Sequence, residues 1–213
     1  MKKIVTVTLN AAWDKTYFLD GFEKGLAHSV AEVRGCAGGK GVNVARVIRA
    51  LGGRVVATGL AGGMTGERIV SGLLAEGIEA AFMTVKAESR DTLAVVDRIS
   101  GEVTEFREPG DPVTEEEFQA FCEHLRELLA DAGFCVLSGS LPPGVPADAY
   151  ARLVRLSREM GVRVALDASG GAFTSGLAAG PSLVKPNREE ALAAARALGE
   201  LSEGRDLSRL GPV

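Results

Sequence analysis

At 213 residues, with 46% hydrophobic and 24% charged side chains, the chain has the length of one domain, or of one plus a small appendage, and enough apolar residues for a core. Its 24 basic and 28 acidic side chains leave a net charge of −4, against the basic stripe of a nucleic-acid binder, and no apolar run approaches the ~18 residues of a membrane span. Three scattered cysteines, Cys36, Cys122 and Cys135, make neither a disulfide framework nor a metal-ligand spacing, and the Met1–Asn10 start is too short and strand-like for a signal peptide, so a reduced, cytoplasmic protein is expected.

In chain order, β-branched Lys3–Leu9 predicts a strand bounded by Asn10. Val44, Val47, Ile48 and Leu51 recur at helical spacing before Gly52, which predicts a helix over 41–51. Arg54–Leu60 reads as a strand, and Thr65 as the start of a helix with Ile69, Val70, Leu73 and Leu74 inward and Gly77 past its end. Thr114 and Glu117 make a capping box ahead of Phe118, Phe121, Cys122, Leu125, Leu128 and Leu129. Phe134–Leu137, Val162–Leu166 and Ser182–Lys185 read as strands, with helices near 147–160 and over Glu189–Leu198. Strand and helix alternating in this way predict a parallel sheet covered on both faces. Ala27–Val33, read as extended, and Thr92–Ile99 with Glu102–Arg107 around the Ser100-Gly101 turn stand outside that alternation and suggest a β-flap over a site.

Three clusters could carry chemistry. Gly38-Gly39-Lys40-Gly41-Val42-Asn43 puts glycines, a cation and an amide at a helix start, where free N–H groups favour an anion or polar oxygens. It lacks the spacing of a phosphate-binding Walker loop and of the dinucleotide fingerprint, which disfavours a nicotinamide-dependent oxidoreductase. Ser138-Gly139-Ser140-Leu141-Pro142-Pro143-Gly144 directly follows a strand, where open parallel sheets bind ligands, or simply punctuates a strand–helix connection. In Lys185-Pro186-Asn187-Arg188-Glu189-Glu190, Asn187 and Glu190 share one side of a helix start; they could hold Mg²⁺ through water or serve the helix terminus alone. Among single residues, Asp14 could accept from substrate hydroxyls or be a turn residue. Arg90 could hold a phosphate or be a solvated charge, and Asp167 could support a metal or cap a helix. His124 reads as surface, and Trp13 as packing.

Together with Thr8-Leu9-Asn10, Ala61-Gly62-Gly63-x-Thr65-Gly66, Glu108-Pro109-Gly110 and Asp167-Ala168-Ser169-Gly170, these clusters resemble, in order from Lys3 to about Leu198, the ribokinase-like, phosphofructokinase B family of sugar kinases. The opening and the Lys40 turn look most like 1-phosphofructokinases and tagatose-6-phosphate kinases. The resemblance implies an α/β, doubly wound, mostly parallel sheet with a small β-lid drawn from about 12–35 and 88–108. It implies ATP- and Mg²⁺-dependent phosphorylation of fructose 1-phosphate or tagatose 6-phosphate. Asp14, Gly38, Gly39 and Asn43 would then hold the sugar, and Lys40, Arg90 and Ser140 would lie near it and its phosphate. Lys185, Asn187 and Glu190 would face the nucleotide and metal, Glu190 through water. The lid would close over the sugar and, as in many relatives, pair with a second subunit's lid to make a homodimer. His28 stands where an Arg is expected.

The family's catalytic Asp, in a Gly-Ala-Gly-Asp motif, is absent from 1–213, so no catalytic residue is assigned. The expectation is an incomplete kinase domain lacking the C-terminal part of its core and inactive as it stands. The competing expectation is a non-catalytic sugar-phosphate-binding remnant.

Overall fold

A computed structural model describes residues 2–197. Strand β1, Lys3–Thr8, is buried on both faces from Val5 onward, as its Val/Thr run requires of a central parallel strand. After β2 (Ala12–Leu19) and β3 (Glu32–Gly38) come α1 (Lys40–Ala50), β4 (Val55–Gly62), α2 (Gly63–Ala75), the short β5 (Glu79–Ala80) and β6 (Met83–Val85), then β7 (Arg90–Asp97) and β8 (Val103–Arg107). The remainder alternates α3 (Glu115–Leu129), β9 (Ala132–Ser138), α4 (Ala149–Glu159), β10 (Arg163–Asp167), α5 (Gly170–Ala178), β11 (Leu183–Val184) and α6 (Arg188–Ala197).

The main sheet runs β11-β10-β9-β1-β4-β5, with β6 also on β4, and every pairing in it is parallel. Alternating side chains feed two cores. Val5, Val7, Leu137 and Leu166 pack with Phe118, Phe121 and Leu125 of α3 and Leu153 and Val154 of α4. Val55 and Ala57 pack with Val42 and Ala45 of α1 and Ile69 and Leu73 of α2. Strand β1 has β4 on one side and β9 on the other, so the chain reverses its direction of winding there. Loops leaving the carboxyl ends of β1 and β9 diverge and open a crevice.

The flap is a four-stranded sheet, β3-β2-β7-β8, antiparallel at both edges and parallel between β2 and β7. It draws on 12–38 and 90–107, close to the expected limits, but the segment before Glu32 is irregular and the strand runs on to Gly38. Three further expectations are corrected. Helix α2 starts at Gly63, and Leu74, 57% exposed, lies outside its inward arc of Ile69 and Leu73. Helix α5 was not anticipated: three of its nine residues are glycine, and its place is set by packing, with Gly176 against Leu166 and Tyr150. His124 is half-buried, with Nε2 2.7 Å from the Ala81 carbonyl oxygen. The α3 capping box between Thr114 and Glu117 forms as expected. Residue 198, the expected end of the last helix, lies outside the described residues. No helix among them is long and apolar enough to cross a membrane.

Candidate functional site

Where β1 and β9 diverge, with the flap as the far wall, lies a cleft of about 610 Å³. Asp14, Gly39, Lys40, Asn43, Arg90 and Ser140 all line it. Gly38 lies just beneath, and its role is steric: a Cβ there would overlap the Asp14 carboxylate. Gly39 has φ 118, and a Cβ would stand 2.6 Å from Thr8 Cγ2. At Gly41 a Cβ would overlap Thr8 Oγ1 and approach the Val7 carbonyl oxygen to 2.7 Å. Only hydrogen fits at these positions, which lets the turn and the start of α1 sit directly on the end of β1.

Helix α1 presents its amino end to the cleft without a side-chain cap and without an acidic residue in its first turn. Its first N–H groups therefore keep their hydrogen-bonding capacity, and the helix dipole favours negative charge there. Two buried hydroxyls at the neighbouring strand ends, Thr8 Oγ1 and Ser138 Oγ, have no partner among the described residues. Lys40 reaches across to Asp167, Nζ to Oδ1 3.1 Å; Lys185 lies 3.8 Å from the other oxygen of the same carboxylate.

Asp14 stands within β2 and not in a turn; the parallel register sets it opposite Thr92, whose hydroxyl donates to Asp14 Oδ1. Arg90 is not a solvated charge. Its Nε and Nη2 each donate to the Asn10 carbonyl at 3.3 Å and its Nη1 to the Glu108 carbonyl at 3.0 Å, with no carboxylate partner among the described residues. Burial pushes the Arg90 pKa down, opposed by the nearby Asp14 charge. Asn10 closes the corner: its Nδ2 is 3.2 Å from Ser140 Oγ, 3.4 Å from the Leu141 carbonyl and 3.3 Å from the Pro109 carbonyl. The Glu108-Pro109-Gly110 flap exit is thereby tied to the Ser140 loop. Behind that loop, Gly139 N donates to the Asp167 carbonyl at 3.0 Å and the buried Tyr150 hydroxyl to the Gly139 carbonyl at 3.0 Å.

Lys185, Asn187 and Glu190 do not line this cleft. Asn187 Oδ1 accepts from Glu190 N at 2.8 Å, and Glu190 Oε2 accepts from Asn187 N at 2.9 Å, a reciprocal cap on α6. Glu190 Oε1 is outside that cap. Among the described residues no group of three or more His, Cys, Asp or Glu could hold a metal. A single carboxylate oxygen suits contact with a hydrated Mg²⁺ carried by phosphates, and nothing closer.

Further lining residues stand on the flap strands, among them Lys15, Thr16, Thr92, Glu105 and Arg107, and the sequence did not single them out. Thr92 and Arg107 are brought in by strand register, Thr92 opposite both Asp14 and Arg107. Ser169, within the Asp167-Ala168-Ser169-Gly170 run, lines the cleft from the connection between β10 and α5. Such long-range pairings leave no local pattern. The cleft thus offers two carboxylates (Asp14, Glu105), two amides (Asn10, Asn43), two ammonium groups (Lys15, Lys40), two guanidinium groups (Arg90, Arg107) and an open helix terminus to one molecule carrying hydroxyls and an anionic group.

The profile of the pfkB family of carbohydrate kinases matches residues 7–209. The tetrameric inhibited form of phosphofructokinase-2 from Escherichia coli superposes with a TM-score of 0.86 at 36% identity, over 92% of this chain and 64% of that one. The same enzyme in complex with fructose-6-phosphate gives 0.84 at 35% identity, over 92% and 65%. A protein described as a possible 1-phosphofructokinase from Thermotoga maritima gives 0.82 at 28% identity, over 94% and 69%. The chain thus spans about 64% of the length of the phosphofructokinase-2 chain.

Proposed function

Because the chain belongs to the pfkB family of carbohydrate kinases, we propose that its cleft binds a ketohexose phosphate as acceptor for the γ-phosphoryl group of ATP. Fructose 1-phosphate and tagatose 6-phosphate are the acceptors suggested by the Lys40 turn. Fructose 6-phosphate joins them because a phosphofructokinase-2 of similar fold binds it. The observation that carries this reading is the meeting of Asp14, Asn43, Arg90 and the open end of α1 in one cleft at the reversal of the sheet.

The roles follow from hydrogen-bonding chemistry. Asp14 Oδ1 is occupied by Thr92, so Oδ2 remains to accept from a sugar hydroxyl. Gly39 and Lys40 N–H groups and Asn43 bind further oxygens, and Arg90, which forms no ion pair with a carboxylate among the described residues, meets the phosphate already on the sugar. The flap, anchored through Asn10, keeps bulk water from competing as phosphoryl acceptor. Lys185 and Glu190 would face ATP and its Mg²⁺, which supplies positive charge to the β- and γ-phosphates when bound. Alignment and positive charge are most of what phosphoryl transfer needs from a protein. These 213 residues contain no Gly-Ala-Gly-Asp segment, and a positioned general base is worth ~10²–10⁴-fold, so binding without appreciable transfer is the behaviour proposed for them alone. Pairing of two flaps is also proposed. Val33 (59% exposed) and Phe106 (54%) share one flap face, and covering that face in a dimer would remove both from water. Sedimentation would then show a dimer that Phe106→Glu dissociates, whereas an unchanged wild-type monomer removes this part of the proposal.

Calorimetric titration with the three ketose phosphates and with unphosphorylated fructose tests the main reading. At least one phosphate ester should bind ~10-fold or more tighter than fructose. Equal or absent binding of all four ligands rules the reading out.

A further inference from the structure

We infer that Arg46 is the positioning residue of the sugar site: held by Glu76, it turns the Asn43 side chain so that its amide can only donate to the ligand. The inference rests on the sugar-phosphate reading above and adds to it a residue that touches no ligand.

Arg46 follows Asn43 by three residues on α1, so both stand on one side of the helix. Four of its five guanidinium N–H groups are given to partners. Nε and Nη2 grip both oxygens of Glu76, at 2.6 and 2.7 Å, in a two-pronged ion pair; Nη2 also donates to the Ala37 carbonyl at 2.6 Å. Nη1 is left to donate to Asn43 Oδ1, at 2.9 Å. The pair is half-buried, with side chains 26% and 34% exposed.

A guanidinium has donors and no acceptor, so the Asn43 atom facing it must be the carbonyl oxygen. Without that contact an asparagine amide has a broad, nearly two-fold torsion and could present either end to the cleft. With it, Nδ2 is the end left for a ligand. Asp14, opposite, offers only an acceptor. The two side chains then read a sugar hydroxyl that donates a hydrogen bond to Asp14 and a sugar oxygen that accepts one from Asn43. The contact with the Ala37 carbonyl holds the guanidinium itself in the plane from which it reaches Asn43. A lysine could not reproduce this, because one ammonium cannot grip a carboxylate with two prongs and still reach an amide and a carbonyl in plane.

A purely structural Arg46 would weaken binding regardless of Asn43. The two roles separate in a double-mutant cycle read by calorimetry with whichever of the three ketose phosphates binds the wild-type chain most tightly. Asn43→Ala and Arg46→Gln should each weaken binding ~5–10-fold, and the double variant should be within ~2-fold of Asn43→Ala alone. Arg46→Lys should behave like Arg46→Gln. Should Arg46→Gln not fold, Glu76→Gln serves in its place, with weaker binding expected in the wild-type background and none of that loss in Asn43→Ala. Wild-type affinity in Arg46→Gln, or a double variant weakened by the full product of the two singles, overturns the assignment while leaving the sugar-phosphate reading standing. A wild-type chain that binds none of the three ketose phosphates overturns both.

Discussion

Gly38 has space for a hydrogen and no more, because the Asp14 carboxylate occupies the position of its missing Cβ. Gly38→Ala must push Asp14 off its contact with Thr92 or shift the turn, at a cost of ~1–3 kcal/mol typical of overpacking. Thermal denaturation should show that loss and calorimetry should show sugar-phosphate binding at least ~10-fold weaker; an alanine variant equal to wild type in both contradicts the placement of Asp14. Asp97 tests the flap in the same way. It accepts from Ile99 N at 2.9 Å, Ser100 Oγ at 2.9 Å and Phe22 N at 3.2 Å. The Ile99 N–H contributes most to holding its pKa at about 2, below the ordinary 3.8. A depressed carboxylate stabilises fully above its unfolded pKa and loses that contribution as the proton returns, here between about pH 4 and about 2. Carboxyl-carbon NMR should find Asp97 still ionised at pH 3, and a midpoint near 4 would show that the Phe22 and Ile99 contacts do not persist in solution. At this scale the sequence was informative wherever partners were near neighbours. The Gly38–Asn43 run announced a site, and the three-residue spacings of Asn43 with Arg46 and Asn187 with Glu190 were there to be read. The Asp14–Thr92 contact, 78 residues apart, was not.

Legibility among the elements tracked how much of each one's stability is local. Helix α3 carries its own start signal in Thr114 and Glu117 and a periodic inward stripe from Phe118 to Leu129, so its start and its buried face were readable, and only His124, held by the distant Ala81 carbonyl, was misread. Strands β5 and β6, two and three residues long, and glycine-rich α5 exist because neighbours hold them, and no window of sequence that short can report it. The flap was visible as a departure from alternation, although its strand boundaries are set by cross-strand register. Thiol chemistry reports on these elements directly. Cys122 on α3 and Cys135 on β9 are buried, and burial pushes their pKa values up to about 11 and about 12, whereas Cys36 on β3 is exposed to reagent, although partial burial raises its pKa as well. A thiolate-selective reagent at pH 8 should therefore label one cysteine in the native chain and three in denaturant. Rapid labelling of Cys122 or Cys135 without denaturant would mean that α3 or β9 is not packed as described.

For the molecule as a whole, topology does most of the work. A parallel sheet that reverses its winding at β1 must open a crevice between the loops after β1 and β9, and a flap rooted between β1 and α1 has that crevice as its floor. The ordered series of motifs made this architecture readable, including the meeting of the Lys40 turn with the Ser140 loop. The order of strands and the particular flap residues on the cleft's far wall, such as Thr92 and Arg107, required coordinates. Amide chemical-shift mapping of the 213-residue chain on addition of fructose 6-phosphate, fructose 1-phosphate and tagatose 6-phosphate probes the central claim most directly. At least one ester should produce a single cluster of shifts at Gly39, Lys40, Asn43, Arg90, Gly139 and Ser140, with little change in α3 or α6. No shifts with any ester, or shifts confined to residues outside that cleft, would contradict it.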